Sequence, residues 1–315
     1  THGRGVIIID DISPLRELSQ EVLAKKTHFF KTQPFTMLEE SGFAGSFGAE
    51  TQFVGQNKST AARIIYYLKK RHTFGKMTLE IQDMQGNKII SLSPGKSKGI
   101  NIVNWGFNTS NPKMAAAKTL SFGGFTSPRV PQGQYKVVLK KGKQTYEHII
   151  ETKYDSNSLT TLKERKEQEA LTQTMFAMVE DLAYLVYEID QIQSKAKQVI
   201  ASGAKKSKQA QKTWDALEAL RTDLVVTTGD NYVASAEPEL RERMGELYSN
   251  IATSYDRVGG SLKNNFDLIN EEFTTEKVRF QKIMDKQVST FYKALEKNDL
   301  ELPVIKTKEV FLAKD

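Results

Sequence analysis

The order of apolar and polar residues changes character near residue 155. Before it, apolar and polar residues alternate: Met77, Leu79 and Ile81 share one side of a predicted β-strand, and residues 135–140 repeat the alternation. After it, apolar residues recur at the three- and four-residue intervals of a helix. The pattern therefore predicts an α+β multidomain protein, with a β domain followed by helices.

The β part spans residues 51–155. About seven short strands, with turns every 8–12 residues, favour an antiparallel β-sandwich of the Ig-like or fibronectin-like kind. Trp105 lies in one of the strands and is expected in the core, because aromatic side chains dominate protein cores. The alternative is that its ring forms a platform on which a sugar stacks.

The helical part spans residues 156–300. Its clearest signal is a heptad seam with 4-3-4-3-4-3 spacing, formed by Leu171, Met175, Met178, Leu182, Leu185, Ile189 and Ile192. Three further helices follow, the last of them over residues 261–297. Four helices joined by short loops predict an antiparallel bundle.

The two ends of the chain carry weaker signals. Residues 1–50 predict a strand over Val6–Ile9, a short helix from Arg16 to Lys26, and a connection over 27–50. Pro34 and three glycines argue against regular structure in that connection. Residues 301–315 form a tail, and Val304-Ile305 predicts that it adds a strand to a sheet.

Charge divides the chain at the same place as the hydrophobic pattern. Residues 1–154 contain 22 Lys and Arg against 11 Asp and Glu, whereas residues 155–315 contain 23 against 27. A basic surface suits nucleic acid, an anionic polysaccharide or an acidic protein, although surface lysines often serve solubility alone. We expect a partner protein or, as the alternative, an anionic glycan, and no nucleic acid.

Composition removes several classes of site. The chain has no Cys, which excludes disulfides, thiolate metal sites and a Cys nucleophile. We find no run of about 18 apolar residues, so we expect no membrane-spanning helix. Gly95-Lys96-Ser97 lacks the first glycine of a P-loop, and Ala44-x-Ser46-x-Gly48 lacks the strand and helix of a nucleophile elbow. We therefore predict no catalytic residue, no metal ligand and no cofactor.

The first sixteen residues resemble a known family. The segment from Thr1 to Arg16 includes His2, Gly3, Arg4, Gly5, Asp10 and Asp11. It is similar to the segment that closes the β-propeller in sialidase-like or sortilin-like glycosyl hydrolases, which are large secreted bacterial proteins with bacterial neuraminidase repeats. The resemblance implies an upstream propeller, then an Ig-like domain and helices, and a secreted, periplasmic or cell-surface location. No propeller repeat occurs in this chain, so the family's glycosidase activity is not carried over.

Asp10 and Asp11 also permit a second interpretation. Adjacent carboxylates supply the hard oxygen ligands that calcium prefers. A junction or capping role is the stronger prediction, because Asp is favoured where helices start.

Two groups of residues are candidates for binding. Lys69, Lys70 and Arg71 end a predicted strand and suit an anionic ligand. Tyr184 and Tyr187 widen the apolar stripe of the first long helix beyond what one partner helix covers. Two functions follow. The first is a non-catalytic scaffold that docks a partner protein or braces the propeller, and the alternative is a module that binds anionic glycan as part of a glycosidase.

Overall fold

The protein is described from a computed structural model that covers residues 3, 9, 11–39, 60–203, 207–229 and 237–313. It is an α+β protein, as predicted, with two β-sheets and several helices. The chain divides into two compact units. Residues 1–110 and 129–159 form the first, here the β unit, and residues 111–128 and 160–315 form the second, here the helical unit.

The first elements among the described residues of the β unit are two short helices, α1 (Ser13–Glu17) and α2 (Gln20–Ala24). The single helix predicted over Arg16–Lys26 is therefore wrong. The chain breaks at Ser19, whose hydroxyl accepts a hydrogen bond from the Val22 amide and so caps the second helix. Of the predicted strand Val6–Ile9, residues 6–8 lie outside the described part, and Ile9 itself lies outside any strand.

Eight strands follow within the described residues of this unit. They are β1 (Thr27–Phe29), β2 (Phe35–Met37), β3 (Ala62–Leu68), β4 (Met77–Gln82), β5 (Lys88–Leu92), β6 (Gly99–Trp105), β7 (Gly133–Lys141) and β8 (Gln144–Tyr154). One sheet has the order β1-β3-β6, and the other has the order β2-β8-β7-β4-β5. All pairs are antiparallel except β2 with β8, which is parallel.

The strands β1 and β2 correct the prediction that residues 27–50 lack regular structure. β1 pairs with β3, and β2 pairs with β8, so the short stretch around Pro34 connects one sheet to the other. Pro34 precedes β2 and interrupts neither strand. Alternation alone does not find strands of three residues, because three positions are too few to show a period.

The two sheets share one hydrophobic core. Met77, Leu79 and Ile81 are buried and their polar neighbours are partly exposed, as the alternation predicts. Trp105 is fully buried, and its Nε1 donates a hydrogen bond to the Asn108 carbonyl at 2.9 Å. Its ring is therefore part of the core and does not serve as a sugar platform.

In its described residues, the helical unit contains the long helix α3 (Leu162–Ala201) and five other α-helices. They are α4 (Ser207–Leu224), α5 (Leu240–Thr253), α6 (Gly260–Ile283), α7 (Ser289–Glu296) and α8 (Lys308–Leu312). α3 starts with a capping box, in which the Thr161 hydroxyl accepts from the Glu164 amide and the Glu164 carboxylate accepts from the Thr161 amide. Among the described helices, none is long and apolar enough to cross a membrane.

The predicted heptad seam of α3 is in the core. Met175, Met178, Leu182, Leu185 and Ile189 are buried, together with apolar residues of α4, α5 and α6. The fourth predicted helix, 261–297, is interrupted once. Residues Met284–Val288 form a π-helical turn between α6 and α7. The predicted strand at Val304-Ile305 is wrong, since the tail has no strand there and ends in the short helix α8.

Candidate functional site

A segment of eighteen residues passes from the β unit into the helical unit and returns. Residues 111–128, here the inserted segment, follow β6 in sequence and precede β7, but they pack with the helices. Ala115 is buried in the helical core, and Met114 and Ala117 pack against it. The alternating pattern of the β part did not predict this excursion, because the segment has neither a strand period nor a helix period.

Arg241 of α5 holds the first half of the inserted segment. This side chain is only 6% exposed. Its Nε donates to the Ala115 carbonyl at 2.7 Å, and its Nη1 donates to the Thr119 carbonyl at 3.2 Å. The charge is balanced by Glu242, whose Oε1 lies 2.5 Å from Nη1. Glu242 Oε1 also accepts from the Thr119 hydroxyl at 2.6 Å, so the segment is tied to α5 through both residues.

The second half of the segment is held by a backbone approach and two hydroxyls. A Cβ on Gly123 would lie 2.9 Å from the Gly245 Cα, so the glycines permit α5 and the segment to touch. The Tyr248 hydroxyl donates to the Thr126 carbonyl at 3.0 Å. The Thr126 and Ser249 hydroxyls lie 2.7 Å apart. Burial raises the pKa of Tyr248 well above its ordinary value, because the phenolate would lose its hydration there.

This fixed backbone carries three exposed apolar side chains. Leu120 is 71% exposed, Phe122 is 81% exposed and Phe125 is 73% exposed; we call them the apolar tip. Phe122 and Phe125 flank the two glycines of a 3₁₀ turn, Phe122–Phe125. Two large aromatic side chains that project from a turn fixed by buried hydrogen bonds are the kind of surface that a protein partner covers.

The predicted tyrosine surface is occupied by the tail of the same chain. The Phe311 ring stacks on Tyr187, with centroids 4.6 Å apart, and lies 5.7 Å from Tyr184. The Tyr184 hydroxyl donates to the Lys306 carbonyl, and the Lys306 amide donates to the Tyr187 hydroxyl, both at 3.1 Å. Part of the stripe on α3 is thus covered by residues 306–311. That a partner binds Tyr184 or Tyr187 stays a prediction.

The predicted basic triad lies at the end of β3. The Lys69 Nζ donates to the Ala24 carbonyl at 3.2 Å, and the Lys69 amide donates to the Lys26 carbonyl, so Lys69 connects β3 to the end of α2. Lys70 and Arg71 are exposed. Binding of an anionic ligand by these three residues stays a prediction.

The predicted junction residues are described only in part. His2, Arg4, Gly5 and Asp10 lie outside the described residues, while Gly3 has a positive φ of 72°. The Asp11 carboxylate accepts from both the amide and the hydroxyl of Ser13 at the start of α1. Ile12 is the N-cap residue of α1 and no side chain caps the helix, so Asp11 orders the turn that precedes α1, and a junction role for the pair stays a prediction. Within the described residues, no group of three or more His, Asp or Glu side chains is arranged to hold a metal ion.

The chain was compared with family models, with curated proteins and with solved structures, and none of them matches it. The geometry of the site therefore carries the functional argument. Sequence reasoning missed Phe122, Phe125 and Arg241. A usable signal was present in Phe122-Gly123-Gly124-Phe125, where two large aromatic residues flank a glycine pair outside any apolar period.

Proposed function

We propose that this chain is a non-catalytic interaction module that docks a partner through the apolar tip of the inserted segment. The proposed partner is the β-propeller portion of a larger secreted or cell-surface protein, which is what the resemblance of residues 1–16 implies. On this proposal the β unit is an Ig-like sandwich, which its two sheets over one core support, and the helices form an antiparallel bundle.

The observation that carries the proposal is the combination of exposure and support at the apolar tip. Burying a Phe side chain stabilises a complex by about 1.5–3 kcal/mol relative to leaving it in water. That gain is reduced when a loop must be ordered on binding. Arg241, Tyr248 and the glycine contact hold the backbone of this turn in the absence of a partner. A partner that binds the apolar tip therefore does not have to order this turn, and little conformational entropy is lost there on binding.

The electrostatics of the segment favour an acidic or neutral partner surface. Lys118 precedes the tip in the sequence, and residues 111–128 contain no Asp or Glu. The Lys118 amide donates to the Val226 carbonyl at 3.1 Å, which fixes the backbone next to the apolar tip. Lys118 is exposed, and a polar, solvent-accessible rim around an apolar centre is typical of an interface.

The test is a binding measurement between this chain and the propeller portion of the native protein, produced separately. We expect Phe122→Ser with Phe125→Ser to weaken binding at least tenfold. The matched control is Phe74→Ser, because Phe74 is 89% exposed in the β unit, away from the tip in sequence. Equal affinity of the tip variant and the wild type, with circular dichroism unchanged, would overturn the proposal. So would failure of the wild-type chain to bind.

A further inference from the structure

The β unit contains a cleft that the proposed docking role does not use. Its volume is about 770 Å³, and its walls come from α1, from the connection between β1 and β2, and from the start of β3. A volume of this order lies within the range of small-molecule sites, which is about 300–1,000 Å³. The cleft is lined by three cationic and two acidic side chains and by a group of apolar ones.

Both acidic side chains of the cleft are engaged locally. The Glu17 carboxylate accepts from the Lys31 amide at 3.1 Å and lies 2.8 Å from His28 Nε2. Burial acts to raise the pKa of Glu17, but these hydrogen bonds outweigh it and hold the pKa below its ordinary value. Asp11 accepts from the Ser13 amide and hydroxyl. Neither carboxylate forms an ion pair with an arginine of the cleft.

The two arginines of the cleft have no such engagement. The guanidinium groups of Arg16 and Arg63 form no hydrogen bond or ion pair with any described residue. Arg63 is only partly exposed on β3, between the buried residues Ala62 and Ile64. An arginine presents a planar fork of donors that matches a carboxylate. The cleft therefore presents two guanidinium groups that have no partner among the described residues, and Lys31 adds a third positive charge.

Beside these cations lies an apolar surface. Pro34, Phe35 and Leu38 line the same cleft, and Leu38 is 44% exposed. Phe35 is held in place because its strand, β2, pairs with β8. A ligand that satisfied the arginines alone would leave this surface in water, whereas one with an apolar body would bury it.

We propose that the cleft binds an organic carboxylate carried on an apolar body, with the carboxylate on Arg16 and Arg63 and the body against Phe35 and Leu38. A peptide's C-terminal residue and a free aromatic carboxylic acid share this chemistry. A sugar acid does not, because its hydroxyls would lose water against Pro34, Phe35 and Leu38 without gaining enough partners. The inference stands independently of the apolar tip.

The test is isothermal titration calorimetry on the full chain with three aromatic probes and with glucuronate, a sugar acid. N-acetyl-L-phenylalanine mimics a peptide C-terminus, 3-phenylpropanoate is a free acid, and N-acetyl-L-phenylalaninamide lacks the carboxylate. We expect saturable 1:1 binding of at least one acid, with the amide at least tenfold weaker than the N-acetylated acid. Tighter binding of N-acetyl-L-phenylalanine assigns the cleft to a peptide terminus, and tighter binding of phenylpropanoate assigns it to a free acid.

Variants locate the binding. Arg16→Gln with Arg63→Gln should weaken the acid at least tenfold, and lysine at both positions should restore part of the loss. The matched control is Lys143→Gln, an exposed cation in the turn between β7 and β8 of the same unit, which should bind as the wild type does. Equal binding of acid and amide, tighter binding of glucuronate than of either acid, or no binding at millimolar concentration would each overturn the proposal.

Discussion

Arg241 shows at the scale of one residue how a buried charge organises the helical unit. Its side chain donates hydrogen bonds to two carbonyls of the inserted segment, and the Glu242 carboxylate neutralises its charge. The other Glu242 oxygen, Oε2, is buried and has no hydrogen-bond partner. Removal of Arg241 would leave a buried carboxylate without its cation and two carbonyls without donors, and this kind of loss is expensive.

We therefore expect Arg241→Leu to destabilise the helical unit by about 3–5 kcal/mol. The matched control is Arg243→Leu on the same helix. Arg243 forms a two-pronged contact with Glu272, but both side chains are more than a third exposed, so we expect a loss of about 1 kcal/mol or less. Urea unfolding followed by helical circular dichroism measures both. Similar losses of unfolding free energy in the two variants would mean that the buried contacts of Arg241 contribute no more to stability than an exposed ion pair does.

His148 is one position at which the β unit is sensitive to pH. Its ring stacks on Phe29 at 5.5 Å and lies 3.4 Å from the Thr32 hydroxyl. Burial lowers the pKa of His148; Glu17 opposes this shift, and His28 adds to it. A base whose pKa is lower in the folded state binds its proton more readily when unfolded. Its contribution to stability is therefore complete above the unfolded pKa of about 6.5 and declines as pH falls below it.

The prediction is that the unfolding free energy of the β unit declines as pH falls below about 6.5, and that His148→Phe reduces this decline. Trp105 reports on this unit once Trp214 is replaced by Phe, because the chain has two tryptophans. Urea unfolding in that background, followed by fluorescence at several pH values, measures the effect. The same pH dependence with and without His148 would contradict the assignment.

At the scale of elements, α8 depends on packing against the rest of the helical unit for its stability. It has five residues, and helices of that length are unstable in water without packing. It is attached to α3 by the stacking of Phe311 on Tyr187 and by an ion pair between Lys308 and Asp181. The Lys113 Nζ of the inserted segment lies 4.0 Å from the centroid of the same Phe311 ring. Phe311 thus contacts both α3 and the inserted segment.

We expect Phe311→Ser to release the tail while α3 remains folded. The matched control is Val310→Ser on the same helix, since Val310 is 57% exposed and should not matter. Hydrogen exchange of residues 302–313 measures the release, and circular dichroism checks α3. Unchanged protection of the tail in Phe311→Ser would show that other contacts hold it.

Leu182→Ala should destabilise the helical unit itself, because Leu182 is buried in the seam and its loss costs about 2–5 kcal/mol of unfolding free energy.

At the scale of the whole molecule, the sequence predicts the elements that have a periodic hydrophobic pattern and misses those that are short or aperiodic. The α+β class and the long helices follow from patterns that extend over many residues, as in the seam from Leu171 to Ile192. The strands β1 and β2 and the helix α8 are too short to show a period. The inserted segment, 111–128, is held by side chains of α5 more than a hundred positions away in sequence, so local pattern does not reveal its partners.

The candidate site was missed for the same reason. Exposed Phe122 and Phe125 look like core residues in the sequence, because an apolar residue is usually buried. Only the fold shows that the turn is fixed from behind and that its aromatic rings face water. Arg241 looks like a surface charge on an amphipathic helix until the inserted segment is placed against it.

The central claim is that the apolar tip is covered by a partner, and carbene footprinting tests it most directly. Labelling of this chain alone is compared with labelling of the full-length native protein, with Phe74 as the internal reference. The proposed docking predicts that Phe122 and Phe125 are labelled strongly in the chain alone and at least several-fold less in the full-length protein, while Phe74 is unchanged. Equally strong labelling of Phe122 and Phe125 in both would contradict the account.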